Sequence, residues 1–194
     1  MTGVRRFAQW GLWFGGALVL LAAVLIGIDV LMRKFLDRSI GGADELAGYS
    51  LAIGTTWGLG ATLLDRAHIR IDSLYVVFPQ KVRLMLDALA VVLLVGFFGL
   101  TFWHGLGVAS QSWTSSSRSQ SALETPTIVP QVLWLAGMAA FLIVGILLLG
   151  KAFMVARSGD LRGVAQLIST RSAEEEVEDE IRDLKDRKAR EGNG

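Results

Sequence analysis

Long apolar runs, separated by short polar clusters, fill the first 155 positions of the chain. A helix crosses about 30 Å of bilayer hydrocarbon with about 20 mainly apolar residues. Four stretches meet that length: Gly11 to Met32, uncharged until Asp29; Leu46 to Leu64, without a charge; Leu84 to Trp103, with Asp87 near its start; and Val132 to Met154, with Lys151 near its end. The pattern predicts an all-α integral membrane protein with four transmembrane helices in residues 1–156, followed by a charged, partly helical tail in 157–194. Arg5 and Arg6 precede the first run as the basic region of a signal peptide does. That run is about 20 residues long, however, against 7–15 for a signal core, and no small-residue cleavage site follows it. An uncleaved anchor helix is expected.

Lys and Arg set the orientation, because cytoplasmic loops carry the excess of both. With the N-terminus inside, 15 of the 19 basic residues fall on the cytoplasmic side and 4 outside. Both termini are therefore expected in the cytoplasm.

Composition narrows the function. Of 194 residues 52% are hydrophobic and 19% charged, nearly half of the charged ones after residue 155, and the mean hydropathy is +0.48. An ordinary soluble enzyme is excluded, since soluble domains run nearer a quarter charged. The net charge of +1 offers nucleic acid no field. With no cysteine, disulfides, thiolate metal sites and cysteine nucleophiles are out. His68 and His104 lie at opposite ends of the third predicted span, so one haem iron cannot join them. Gly145 to Ala152 has the glycine and lysine spacing of a phosphate loop but lacks its Ser or Thr and lies in an apolar helix. No nucleophile–base–acid set appears, so neither catalysis nor a cofactor of this chain is expected. A self-contained transporter would show interrupted helices or an inverted repeat around a midplane site. Neither is evident here, which leaves a membrane scaffold or accessory subunit.

The polar residues at the span ends are the candidates for specific roles. Asp29, Arg33 and Asp37 repeat every four positions, one helical turn apart. Asp29 is expected to pair with Arg33 at the interface; the sharper alternative is an ion or proton site, since carboxylates within membrane helices are often functional. Gly41 and Gly42 break the first helix, Ser39 or Asp44 is a candidate cap for the second, and Asp44 and Glu45 suit the positive end of that helix. Within the second span Ser50, Gly54, Gly58 and Ala61 share one face, with Trp57 beside it. Small residues so placed let another backbone come close. The 65–78 link mixes Arg66, His68, Arg70 and Asp72 with Ile69, Ile71, Leu74 and Tyr75, which suits an amphipathic segment in the lipid headgroup layer. Arg83 and Asp87 form a further candidate i, i+4 pair. The serine-rich 104–131 loop is expected outside, turning through Thr125-Pro126 and Pro130 into the last span. In the tail an acidic block (174–180) precedes a basic one (182–190), too short for a coiled coil.

Gly42-Ala43-Asp44-Glu45-Leu46, then Trp57 to Ala61, then Arg66-Ala67-His68-Ile69-Arg70-Ile71-Asp72 resemble the small membrane subunit, the DctQ family, of tripartite ATP-independent periplasmic (TRAP) transporters. The resemblance covers residues 10–154 and includes the Thr125-Pro126 entry to the last span. It implies a bacterial inner-membrane complex with a large multi-spanning subunit that carries the substrate and sodium sites and moves as an elevator. It further implies a periplasmic binding protein that delivers an organic acid. The small subunit would enlarge the static scaffold and help dock the binding protein. Ser50, Gly54, Trp57, Gly58 and Ala61 would serve helix packing or the partner interface, and Asp29, Arg33, Asp44, Glu45, Arg66, His68 and Asp72 structural or interface roles. The main rival is a self-sufficient homo-oligomeric channel or exporter coupled through Asp29, and a third reading is a signalling or assembly factor acting through the tail.

Overall fold

The computed structural model describes residues 2–65, 78–159 and 161–168, together with 181, 184 and 185. Helices α1 (Thr2–Leu36), α2 (Ala43–Leu64), α3 (Gln80–Thr114), α4 (Ile128–Arg157) and α5 (Leu161–Ile168) follow one another, with no strand among the described residues. The architecture is thus all-helical, and α1, α3 and α4 are long and apolar enough to cross a membrane. Each outruns its apolar core: 35 residues in α1 and in α3 reach roughly 50 Å at 1.5 Å per residue. α2, at 22 residues, is shorter and carries Gly, Thr, Tyr and Trp among its apolar positions. The 66–77 stretch expected at the headgroup layer, with Arg66, His68 and Asp72, lies outside the described residues.

The helices pack in the order α1, α2, α4, α3, each mainly on its neighbours, with α1 and α4 only grazing each other. The result is a row rather than a closed bundle. α1 turns a regular face to α2: Ala8, Gly11, Gly15, Ala22 and Asp29 are its buried positions, at intervals of three, four and seven. Gly15 and Gly54 meet where the two helices approach most closely. A Cβ on Gly15 would stand 2.3 Å from the Gly54 carbonyl oxygen, and one on Gly54 2.7 Å from that of Gly15. No hydrophobic drive operates between helices in lipid, so this backbone-to-backbone fit is what joins them.

Trp57 joins α2 to α4. Its Nε1–H donates to the Leu133 carbonyl (3.0 Å), its ring meets Phe14 of α1 edge-on, and it lies over Gly137. Along α4, Met138, Phe141, Val144, Leu148 and Ala152 are buried, with Phe98 of α3 edge-on to Phe141. After Gly159, at φ +80, α5 folds back against α4 and α3. Val164 and Ile168 thereby join the cluster of Leu63, Val91, Phe141 and Leu148. Elsewhere the surfaces of α1 and α3 are open and apolar, from Trp10 and Trp13 to Leu21, and from Met85 to Phe97 and Trp103.

Candidate functional site

The polar groups gather at the ends of the row, and the densest cluster ties α1 to α2. Asp29 is 3% exposed. Its Oδ1 accepts from the Ile40 amide (2.5 Å) and the Ser39 hydroxyl (3.0 Å), and its Oδ2 meets Arg33 Nη2 at 2.5 Å. Arg33 Nε also donates to Ser39 Oγ (3.1 Å), and Nη2 lies 3.5 Å from Asp44 Oδ2. The Asp29–Arg33 pair thus forms as its spacing predicts. Asp37 leaves the pattern: α1 ends at Leu36, and Asp37 sits at φ +49. Both Asp29 oxygens are engaged by neighbours that hold the interhelical turn, so the cluster acts as a latch between α1 and α2.

The capping expectation is corrected by this arrangement. Neither Ser39 nor Asp44 caps α2; the N-cap is Gly42, at φ +87, with no side-chain cap. Ser39 and Asp44 turn toward Asp29 and Arg33, where ion-pair geometry outcompetes the free amides of α2. An L side chain at Gly42 would be strained by that φ, and its Cβ would also come within 2.4 Å of Leu123.

Leu123 belongs to the connection between α3 and α4, which folds over the end of α2. The connection is held by Ser119 N–H to the Thr125 carbonyl (2.9 Å), Thr127 N–H to the Ser117 carbonyl (3.1 Å) and a bridge between Arg118 and Pro126. Ser121 Oγ donates to the Glu45 carboxylate, 76 positions away. The Tyr49 hydroxyl, with help from Ser119 and Thr125, holds the Glu45 carboxyl below its ordinary range against the opposing effect of burial. The acid pair thus divides its work: Asp44, 83% exposed, reaches back to Arg33, and Glu45 reaches up to the loop.

On α2 the small-residue face meets α1 of the same chain. Gly54 and Ala61 are buried, and Ser50 is half-buried. A Cβ on Gly58 would make ordinary contact with Leu12, at 3.5 Å, so Gly54 rather than Gly58 sets the approach. At the other end of the row Arg5 pairs with Asp65 (3.1 Å), both well exposed and so of small energetic weight. Arg83 Nε donates to the Phe78 carbonyl (2.6 Å), and Asp87 is wholly buried near the start of α3. Gly15, Trp57's carbonyl partner and Ser121 had not been expected from the sequence. The intervals of Ala8, Gly11, Gly15 and Ala22 carry the signal for Gly15, while nothing in the pattern marks Ser121 among eight neighbouring polar positions.

A row of long apolar helices, tied together at its ends, has the build of a membrane component. The chain belongs to the family described as tripartite ATP-independent periplasmic transporters, DctQ component, which matches residues 10–154. It is accordingly the small membrane subunit of a TRAP transporter, located in the inner membrane. It is also similar to the probable peptidoglycan glycosyltransferase FtsW of Halothiobacillus neapolitanus (strain ATCC 23641 / c2), 28% identical over 134 residues. That match covers 60% of this chain and 31% of the relative, so the chain spans about a third of the length of the curated relative it matches. Glycosyl transfer belongs to that relative; a DctQ component is a transporter subunit. No solved structure matches the chain.

Proposed function

We propose that this chain is the static scaffold of a sodium-coupled TRAP transporter, holding a large multi-spanning subunit that takes up an organic acid delivered by a periplasmic binding protein. The observation that carries this reading is the open row of described helices, which presents broad apolar faces along α1 and α3. In this reading α2 crosses the membrane with α1, α3 and α4, and both termini are cytoplasmic. The end latched by Asp29, Arg33, Asp44 and Glu45 then faces the periplasm, and the 115–127 loop folded over it is the surface offered to the binding protein. Sodium and substrate bind the large subunit, with no cofactor or metal in this chain. Residues 1–156 are the membrane body, α5 packs back on its end, and the charged segment that follows is assigned to the cytoplasm.

The rival channel coupled through Asp29 is disfavoured because the Ile40 amide, Ser39 and Arg33 already occupy that carboxylate. Purification of the tagged chain from its native membranes in mild detergent, with mass spectrometry of what accompanies it, tests the proposal. A stoichiometric large multi-spanning protein is expected. Recovery of the chain alone, as a defined homo-oligomer that transports solute in liposomes, would overturn it.

A further inference from the structure

We propose that the N-terminal end of α1 carries a site for the phosphate headgroup of an anionic membrane phospholipid. Arg6, Gln9, Trp10 and Trp13 line a cleft of about 330 Å³. Their spacing of three, one and three residues places them on one face of α1, away from Ala8, Gly11 and Gly15, which turn to α2. Trp10 and Trp13 are 75% and 78% exposed on a helix long and apolar enough to span the bilayer, so this face meets the membrane.

Charge decides the occupant. The neighbouring Arg5 is engaged by Asp65, whereas Arg6 has no ion-pair partner among the described residues. The first turn of α1 carries no acidic residue either. A guanidinium left uncompensated at the membrane boundary attracts an anion, and its planar fork matches two phosphate oxygens at once. Indole rings settle at headgroup depth with their N–H groups toward the polar layer, and the Gln9 amide adds a further donor. The cleft is therefore built of donors and apolar ring faces with no acceptor carboxylate. Phosphatidylglycerol supplies what it lacks: a phosphate with net negative charge above a glyceride backbone. Zwitterionic phosphatidylcholine offers the same phosphate neutralised by its own trimethylammonium.

The full chain, purified in mild detergent with whatever subunit accompanies it, is titrated with dioleoylphosphatidylglycerol or dioleoylphosphatidylcholine, and retained lipid is counted by native mass spectrometry. A preference of about fivefold or more for phosphatidylglycerol is expected, the scale of one phosphate–arginine contact. Arg6→Gln should abolish the preference, while Arg5→Gln, which removes the guanidinium held by Asp65, should keep it. Equal retention of the two lipids, or a preference that survives Arg6→Gln, overturns the proposal. A second measurement is independent of lipid counting: a photo-cross-linking residue at position 9, activated in native membranes, should capture phospholipid. Capture of a protein at that position would mean that a partner covers the cleft, and would equally overturn it.

Discussion

Gly15 and Gly16 are neighbours with opposite surroundings, and replacing each with alanine isolates what holds α1 to α2. At position 15 the new methyl would lie 2.3 Å from the Gly54 carbonyl oxygen and 3.0 Å from its carbon. Ordinary contact needs about 3.5 Å, so the helices must part by roughly 1 Å, and the obstacle is backbone that cannot rotate aside. Overpacking of this kind costs about 1–3 kcal/mol. Alanine recovers about 1 kcal/mol of helix propensity at either position. At Gly16 nothing lies within 4 Å, so only the gain remains. Gly16→Ala should therefore exceed Gly15→Ala in stability by about 1–3 kcal/mol. Each kcal/mol moves the midpoint by about 2–4 °C for a chain of this length. The assay is thermal unfolding of the full chain in one mild detergent, followed by tryptophan fluorescence with helicity measured in parallel. If Gly15→Ala is as stable as Gly16→Ala, the close approach of α1 and α2 does not hold the row together.

Asp29→Ala removes the acceptor shared by Ile40, Ser39 and Arg33 and should free the turn between α1 and α2. Limited proteolysis within residues 37–42 should accelerate roughly tenfold, the scale of one lost charge-assisted hydrogen bond, and an unchanged rate would deny the latch. Trp57→Phe keeps an aromatic ring but loses both the N–H donated to Leu133 and the pyrrole atoms packed over Gly137; a cost of about 1–3 kcal/mol is expected in the same melting assay, and no change would place the seam's strength elsewhere. Glu45 supplies a pH test. Its folded-state pKa lies below the ordinary value of 4.5, so its contribution is complete above that value and is lost as pH falls through the lower, folded one. Protease protection of the 115–127 loop should therefore fall below about pH 4.5 in the native chain, whereas Glu45→Gln should have a flatter profile; identical profiles would remove Glu45 from the loop's anchorage.

The three long apolar helices α1, α3 and α4 were legible because an apolar run near 20 residues has few other uses in a folded chain. Their ends were less so. α1 begins at Thr2 and α3 persists to Thr114, since a helix stops where its backbone finds other partners, not where lipid ends. Ser39 and Asp44 look like caps in one dimension; only in three does the Asp29–Arg33 pair take them. The stripe on α2 announced a close packing face but not its occupant, because small residues accept any backbone. The tie from Ser121 to Glu45 was beyond reach, since one hydroxyl among many leaves no periodic trace. The fold-back of α5 rests on Val164 and Ile168, a pair too short to stand out beside the charged segment that follows.

The distribution of these ties bears on how the chain would serve the moving partner proposed for it. In its middle the row relies on Gly15 against Gly54 and on Trp57 seated over Gly137, contacts that permit little sliding because either backbone or a rigid ring blocks the path. At one end the Asp29 latch and the loop over Glu45 fix the turn between α1 and α2 and the link from α3 to α4 to the same point. At the other, α5 wedges against both α3 and α4. Among the described residues the helices are tied in the middle and at both ends, while the outward faces of α1 and α3 stay exposed and apolar. A subunit built to carry solute needs the reverse, a pliable interior around a polar centre. Close contacts along the row with open flanks suit the scaffold role proposed for it.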